Sequence, residues 1–144
     1  MSGSGSAGSS TSGFRVTVQP AHNVRRRRRM IPTVEAVLTL QLDENGVPNF
    51  YDTELMATAY LYDSNNELVG SATSLSNPST TPQTDFGGNG QGGSSSLAKM
   101  CFRFSQMKVN VQGTRLKLSI QVYDLRQTSA FVLVSEWTDE FNCA

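Results

Sequence analysis

Hydrophobic and polar positions alternate along most of this chain with a period of two. "TVEAVLTLQL" (33–42) sets Val34, Ala36, Leu38, Leu40 and Leu42 on one face. Successive side chains of an extended strand point to opposite sides of its sheet, so this spacing predicts a half-buried strand. "FRVTV" (14–18) predicts a shorter one that stops at Gln19-Pro20, because proline removes a ladder donor and restrains the residue before it. "ELMATAYLYD" (54–63) is apolar on both faces, and "ELVGSATSL" (67–75) reads as its hairpin partner across Ser64, Asn65 and Asn66. In "LAKMCFRFSQMKVNV" Ala98, Met100, Phe102 and Phe104 point one way, and Lys99, Cys101 and Arg103 the other. In "TRLKLSIQVYD" Leu116, Leu118, Ile120 and Val122 face in while Arg115, Lys117, Ser119 and Gln121 face out, and "FVLVSEW" (131–137) closes the set.

Seven to nine such strands, separated by turn chemistry such as "DENGVPNF" and with no helix-period segment of useful length, predict an all-β fold. The expected architecture is an immunoglobulin-like antiparallel β-sandwich with little helix. Residues 1–13 are Gly, Ser, Thr and Ala with one Met, a composition that cannot offset its ordering entropy, and are expected to be a disordered leader. The single domain then covers 14–144. Within it "SNPSTTPQTDFGGNGQGGSSS" (76–96) is too long and too rich in Gly, Pro and Ser for an ordinary connection, which predicts a flexible insert.

Length agrees with one domain, since a chain of 144 residues is large enough to bury a substantial core. No apolar run reaches the roughly 20 residues that span a bilayer, and the N-terminus lacks the charged and apolar regions of a signal peptide. The expectation is an intracellular protein with no membrane contact. Cys101 and Cys143 are too few and too far apart in sequence for a disulfide framework or a metal site.

Enzyme chemistry finds little support. His22 is the only histidine, and neither G-x-S-x-G, a Walker-type GK[ST] nor CxxC occurs. The paired carboxylates Asp43-Glu44 and Asp139-Glu140 fall at predicted strand ends, where acids are ordinarily just solvated. The glycines of "FGGNGQGG" do not sit between a strand and a helix, as a phosphate-cradling loop requires. A non-enzyme is expected, with no cofactor, no metal and no small-molecule substrate.

Charge alters the picture most. The formal net charge is zero, but residues 1–34 carry +6, residues 35–92 carry −8 and residues 93–144 carry +2. Such segregation points to a polyanionic partner for the basic part. "QPAHNVRRRRRMIP" holds Arg25, Arg26, Arg27, Arg28 and Arg29 between two predicted strands, so the fold would present them as an end loop. Five adjacent guanidiniums repel one another unless an anion neutralises them, and the planar guanidinium fork suits phosphate oxygens and the O6/N7 edge of guanine. Lys99, Arg103, Lys108, Arg115 and Lys117 would widen the basic surface, or else serve solubility and edge protection. Aromatic residues are not interleaved with the run, which favours duplex backbone over stacked single strands.

"FRVTVQP" with the basic loop, "IPTVEAVLTLQL", "ELVGSATSL", "CFRFSQMKVNVQGTRLKLSIQVYD" and "VLVSEWTDEF" together resemble, over residues 14–142, the velvet domain of fungal regulators. They are more distantly similar to the Rel homology and STAT DNA-binding domains and to slime-mould CudA-type factors. The resemblance implies a nuclear transcription factor of immunoglobulin fold that grips double-stranded DNA with end loops, as a homo- or heterodimer with a related domain. It implies DNA contacts from the loop after the first strand, here residues 21–29, including His22 and Asn23. The loop departs from the Rel pattern in carrying only arginines where aromatic, Cys and Glu residues are interleaved. Two other classes fit the residues: a protein-interaction sandwich whose basic run is a nuclear import signal, and a coat or packaging protein with a basic nucleic-acid arm.

Overall fold

The computed structural model describes residues 11–69, 72–85, 97–126, 129 and 131–144. In them twelve strands run in the order β1 (Thr11–Val18), β2 (Asn23–Val24), β3 (Glu35–Gln41), β4 (Leu55–Tyr62), β5 (Leu75–Ser76), β6 (Ser79–Thr80), β7 (Gln83–Asp85), β8 (Leu97–Arg103), β9 (Lys108–Val109), β10 (Gly113–Asp124), β11 (Val132–Trp137) and β12 (Phe141–Cys143). Helical structure among the described residues is confined to two short 3-10 turns, Asp52–Glu54 and Ala72–Ser74.

One sheet has the order β1-β3-β8-β7 and is antiparallel throughout. A second has the order β2-β12-β10-β4-β6, with β11 also paired to β10, and β5 and β9 form a separate two-stranded sheet. Lettered as immunoglobulin strands, β1, β3, β8 and β7 take the places A, B, E and D, while β11, β10 and β4 take G, F and C. The fold is therefore the expected all-β sandwich. Its two inner faces meet in one core, where Ala36, Leu38, Leu40, Met100 and Phe102 pack with Leu55, Ala57, Leu61, Leu118, Ile120 and Val122. Each of the Leu, Ile, Val, Met and Phe side chains among them stabilises the fold by about 1.5–3 kcal/mol when fully buried, and the period-two alternation delivers all of them to one side.

The structure differs from the sequence reading in several places. β1 begins at Thr11, inside the stretch assigned to the leader, because backbone pairing with β3 continues to Thr11↔Leu40 whatever the side chains are. Residues 1–10 lie outside the described residues. The segment 67–75 is not a full hairpin strand. It pairs with β4 through the single bridge Tyr62↔Leu68 and the bond from Val69 N–H to the Leu61 carbonyl, and its end, β5, pairs with β9 instead. The long neighbour of β4 is β10, in register from Lys117↔Tyr62 to Asp124↔Leu55.

The stretch 76–96 is not loop throughout. β6 adds to β4 in one sheet and β7 adds to β8 in the other, so the chain changes sheets across Thr81 and the buried Pro82. Strands that switch sheets make the corners of a sandwich. The rest of that predicted insert, 86–96, lies outside the described residues. Ser119 is buried although it faces outward; Gln121 Nε2 donates to its hydroxyl at 3.2 Å, and Tyr60 and Trp137 lie opposite it on the two neighbouring strands. Finally, β12 follows β11, and it fixes the position of the arginine loop.

A candidate nucleic-acid interface

β12 sits between β10 and β2. It is antiparallel to the first, with Leu116↔Phe141 and Gly113↔Cys143, and parallel to the second, with Asn142↔Asn23 and Cys143↔Val24. Val24, Phe141 and Cys143 are buried, so apolar contact holds the three strands together at one end of the sandwich. The arginines leave β2 at that point. Arg26 N–H donates to the Ala144 carbonyl at 2.9 Å, Arg27 N–H to the Val109 carbonyl at 2.7 Å and Met30 N–H to the Met107 carbonyl at 3.2 Å. Arg28 N–H closes a turn on the Arg25 carbonyl at 3.2 Å, and Arg29 bridges to Lys108 on β9. Met30 is only 1% exposed and plugs into the core behind the loop.

The loop backbone is thus fixed by partners distant in sequence. Arg27 has φ 66°, a left-handed conformation that costs a residue with a Cβ roughly 1–2 kcal/mol. That cost is met by the bonds on either side. The side chains stand in contrast to the backbone: all five arginines are exposed, and none forms an ion pair among the described residues. The three ion pairs found there lie elsewhere, at Arg103–Glu35, Arg115–Glu140 and Arg126–Asp124. Lys108, half-buried beside Arg29, adds a sixth cation to the same end.

His22 and Asn23 lie at the edge of this cluster. Both are exposed; the His22 carbonyl accepts from Asn142 N–H at 2.8 Å, and Asn23 Oδ1 accepts from Asn142 Nδ2 at 3.2 Å. The Asn142 amide also accepts Arg115 N–H at 3.0 Å. Asn142 therefore stitches the start of the loop to a β10 bulge at which Arg115 has φ 56°. The Arg115 side chain turns to Glu140 at 3.3 Å. Both groups are well exposed, so the pair is worth little energy but holds that guanidinium.

The other three candidates lie away from the loop. Lys99 and Arg103 stand on the outer face of the first sheet, where Arg103 donates to Glu35 at 3.1 Å and to Gln83 at 2.7 Å. Lys117 stands on the outer face of the second sheet, with its ammonium 4.4 Å from the centre of the Trp137 ring. Trp137 in turn meets Tyr62 edge-on at 5.0 Å. On the same face the Tyr123 hydroxyl bonds to Tyr60 and Gln121. Burial first, and the Tyr60 bond second, push its pKa up to about 12.

Sequence reasoning missed the groups that hold the loop. Gln19 accepts Asp139 N–H at 2.8 Å through its side chain, tying the end of β1 to the turn before β12. Asn142 and the carbonyls of Met107, Val109 and Ala144 do the rest. Of these only the Gln-Pro dipeptide stood out in the sequence. The Cys143 thiol is pushed up by burial, opposed by the charge of Arg26 nearby. Among the described residues there is no cluster of three or more His, Cys, Asp or Glu side chains able to hold a metal ion, and no helix is long and apolar enough to cross a membrane. The search for similar proteins found no family model that matches the chain and no curated protein that matches it.

Proposed function

We propose that this chain is a double-stranded DNA-binding domain of the velvet and Rel-like kind. In this reading it is a transcription regulator that works in the nucleus as a dimer with a related domain. One observation carries the proposal: five exposed guanidiniums without an acidic partner among the described residues project from a backbone pinned at 26, 27 and 30. Fixed cations bind a polyanion with less ordering cost than a free tail, and each neutralised phosphate releases condensed counterions. Arg25, Arg26, Arg27, Arg28, Arg29 and Lys108 are the principal contacts, with His22 and Asn23 beside them. The pinned backbone weighs against a pure import address, because a signal read as an extended peptide needs the N–H groups that Arg26, Arg27 and Met30 already commit.

Selection from random duplexes at two salt concentrations tests the reading. A regulator enriches one short motif that survives the higher salt. Equal retention of all sequences points to a packaging arm, and no retention at either concentration leaves the interaction module.

A further inference from the structure

A second basic feature lies on the outer face of the first sheet, away from the loop. There a groove of about 390 Å³ is bounded by Gly13, Arg15 and Thr17 on β1, Val37 and Thr39 on β3, and Lys99 on β8. The register explains its shape. Gly13 and Lys99 both lie opposite Thr39, and Arg15 lies opposite Val37. The short side chains of the central strand form the floor, and the two long cations rise from the flanking strands. Gly13 leaves one side open, since a Cβ placed there would meet nothing within 4 Å.

Neither Arg15 nor Lys99 makes an ion pair among the described residues. Glu35, on the same face of β3, is held by Arg103 at 3.1 Å. Asp85 is the backbone partner of Lys99 in the β7–β8 register. Flanking strands of a three-strand set are roughly 9–10 Å apart, within reach of an arginine and a lysine converging over the strand between them. The Thr39 hydroxyl supplies a neutral donor at the floor. A planar fork, a point charge and a hydroxyl over an open floor are the donors of a phosphate site.

We propose that this groove binds a phosphate group through Arg15, Lys99 and Thr39. The phosphate comes either from a nucleic-acid backbone passing over the sheet or from a free phosphate compound. The site stands on residues separate from the arginine loop and does not need the duplex reading to hold.

The test uses the full chain and amide NMR, titrated first with inorganic phosphate and then with a short duplex. The variants are Arg15→Gln with Lys99→Gln, which removes the charge, and Gly13→Val, which fills the groove without changing charge. Phosphate is expected to shift the amides of Gly13, Val37 and Thr39, and either variant to abolish those shifts. If the duplex is the source, the charge variant also lowers the slope of log affinity against log salt by about 0.9, for one phosphate. If the source is a free phosphate compound, the charge variant still loses the phosphate-induced shifts but leaves the slope for the duplex unchanged. Absence of groove shifts in wild type with both probes overturns the proposal, as does a wild-type response that survives both variants. A protein that binds no duplex but responds to phosphate at the groove retires the DNA reading alone.

Discussion

The arginine loop and the two aspartate turns, 43–47 and 63–67, are built on opposite plans. Each turn closes on itself. Asp43 N–H donates to the Val47 carbonyl at 2.8 Å and Gly46 N–H to the Asp43 carbonyl at 2.9 Å, while the Asp43 carboxylate accepts Asn45 N–H at 2.8 Å and Val47 N–H at 2.9 Å. Asp63 repeats the arrangement with Asn65, Asn66 and Glu67. The fourth residue is left-handed in both, Gly46 at φ 78° and Asn66 at φ 62°, as a three-residue hairpin loop with a G1-type bulge requires. Asp43 and Asp63 are therefore already engaged with backbone N–H groups. The arginine loop spends backbone groups on distant strands and leaves its charges open. Position along the chain divides acid from base, but internal bonding decides which charges remain available to a partner.

Breaking the remote anchors should have the largest effect. Phe141 is 1% exposed and seats β12, so Phe141→Ala should cost about 3–5 kcal/mol, read by denaturant unfolding. Because β12 pairs directly with β2 and leads to the Ala144 carbonyl that Arg26 N–H uses, hydrogen exchange at Arg26 and Arg27 should accelerate more than at Val47 or Glu67. Equal acceleration at all four sites would mean that loop and turns share one support.

The turns should respond locally. Asp43→Ala or Asp63→Ala removes a carboxylate that accepts two backbone donors and should cost about 1–2 kcal/mol each, with duplex affinity unchanged. Asparagine at either position keeps the acceptor oxygen and should restore most of the loss in thermal unfolding. A drop in DNA affinity from either alanine variant would break the division between the two plans.

A smaller effect separates strain from charge inside the loop. Arg27→Gly and Arg27→Ala remove the same cation, but only glycine tolerates φ 66° without cost. The glycine variant should be the more stable by about 1 kcal/mol, and both should lose the same affinity. A more stable alanine variant would show that Arg27 is not held in that conformation in solution.

How much of this was legible in sequence follows the same division. β3, β8 and β10 announce themselves because seven or eight residues of alternating apolar and polar positions in each leave one face to bury. The two turns are legible because Asp, Asn and Gly act on their own neighbours. β2, β5, β6, β7, β9 and β12 are two or three residues long, too short to show a period, and their pairing depends on partners far along the chain. The sheet-switching strands were hidden by a Gly, Pro and Ser composition that describes the segment as a whole. The arginines could be picked out and their position between strands inferred. That Ala144, Val109 and Met107 hold their backbone could not, because a carbonyl looks the same at every position in a sequence. Lys108 beside Arg29 is likewise a product of the fold, whereas Lys99, Arg103 and Lys117 alternate just as regularly and end on other faces.

The most direct measurement is the salt dependence of duplex affinity for wild type and for a variant with alanine at positions 25–29, with unfolding curves recorded on both. Wild type should show a log–log slope of about −4.5 to −6, for five to seven neutralised phosphates. The variant should lose about 4.5 of that slope with its unfolding midpoint nearly unchanged, since among the described residues the side chains of Arg25–Arg29 make no ion pair that the fold depends on. A variant that keeps the wild-type slope and affinity would contradict the account, because the open charges of this loop would then not be what meets the nucleic acid.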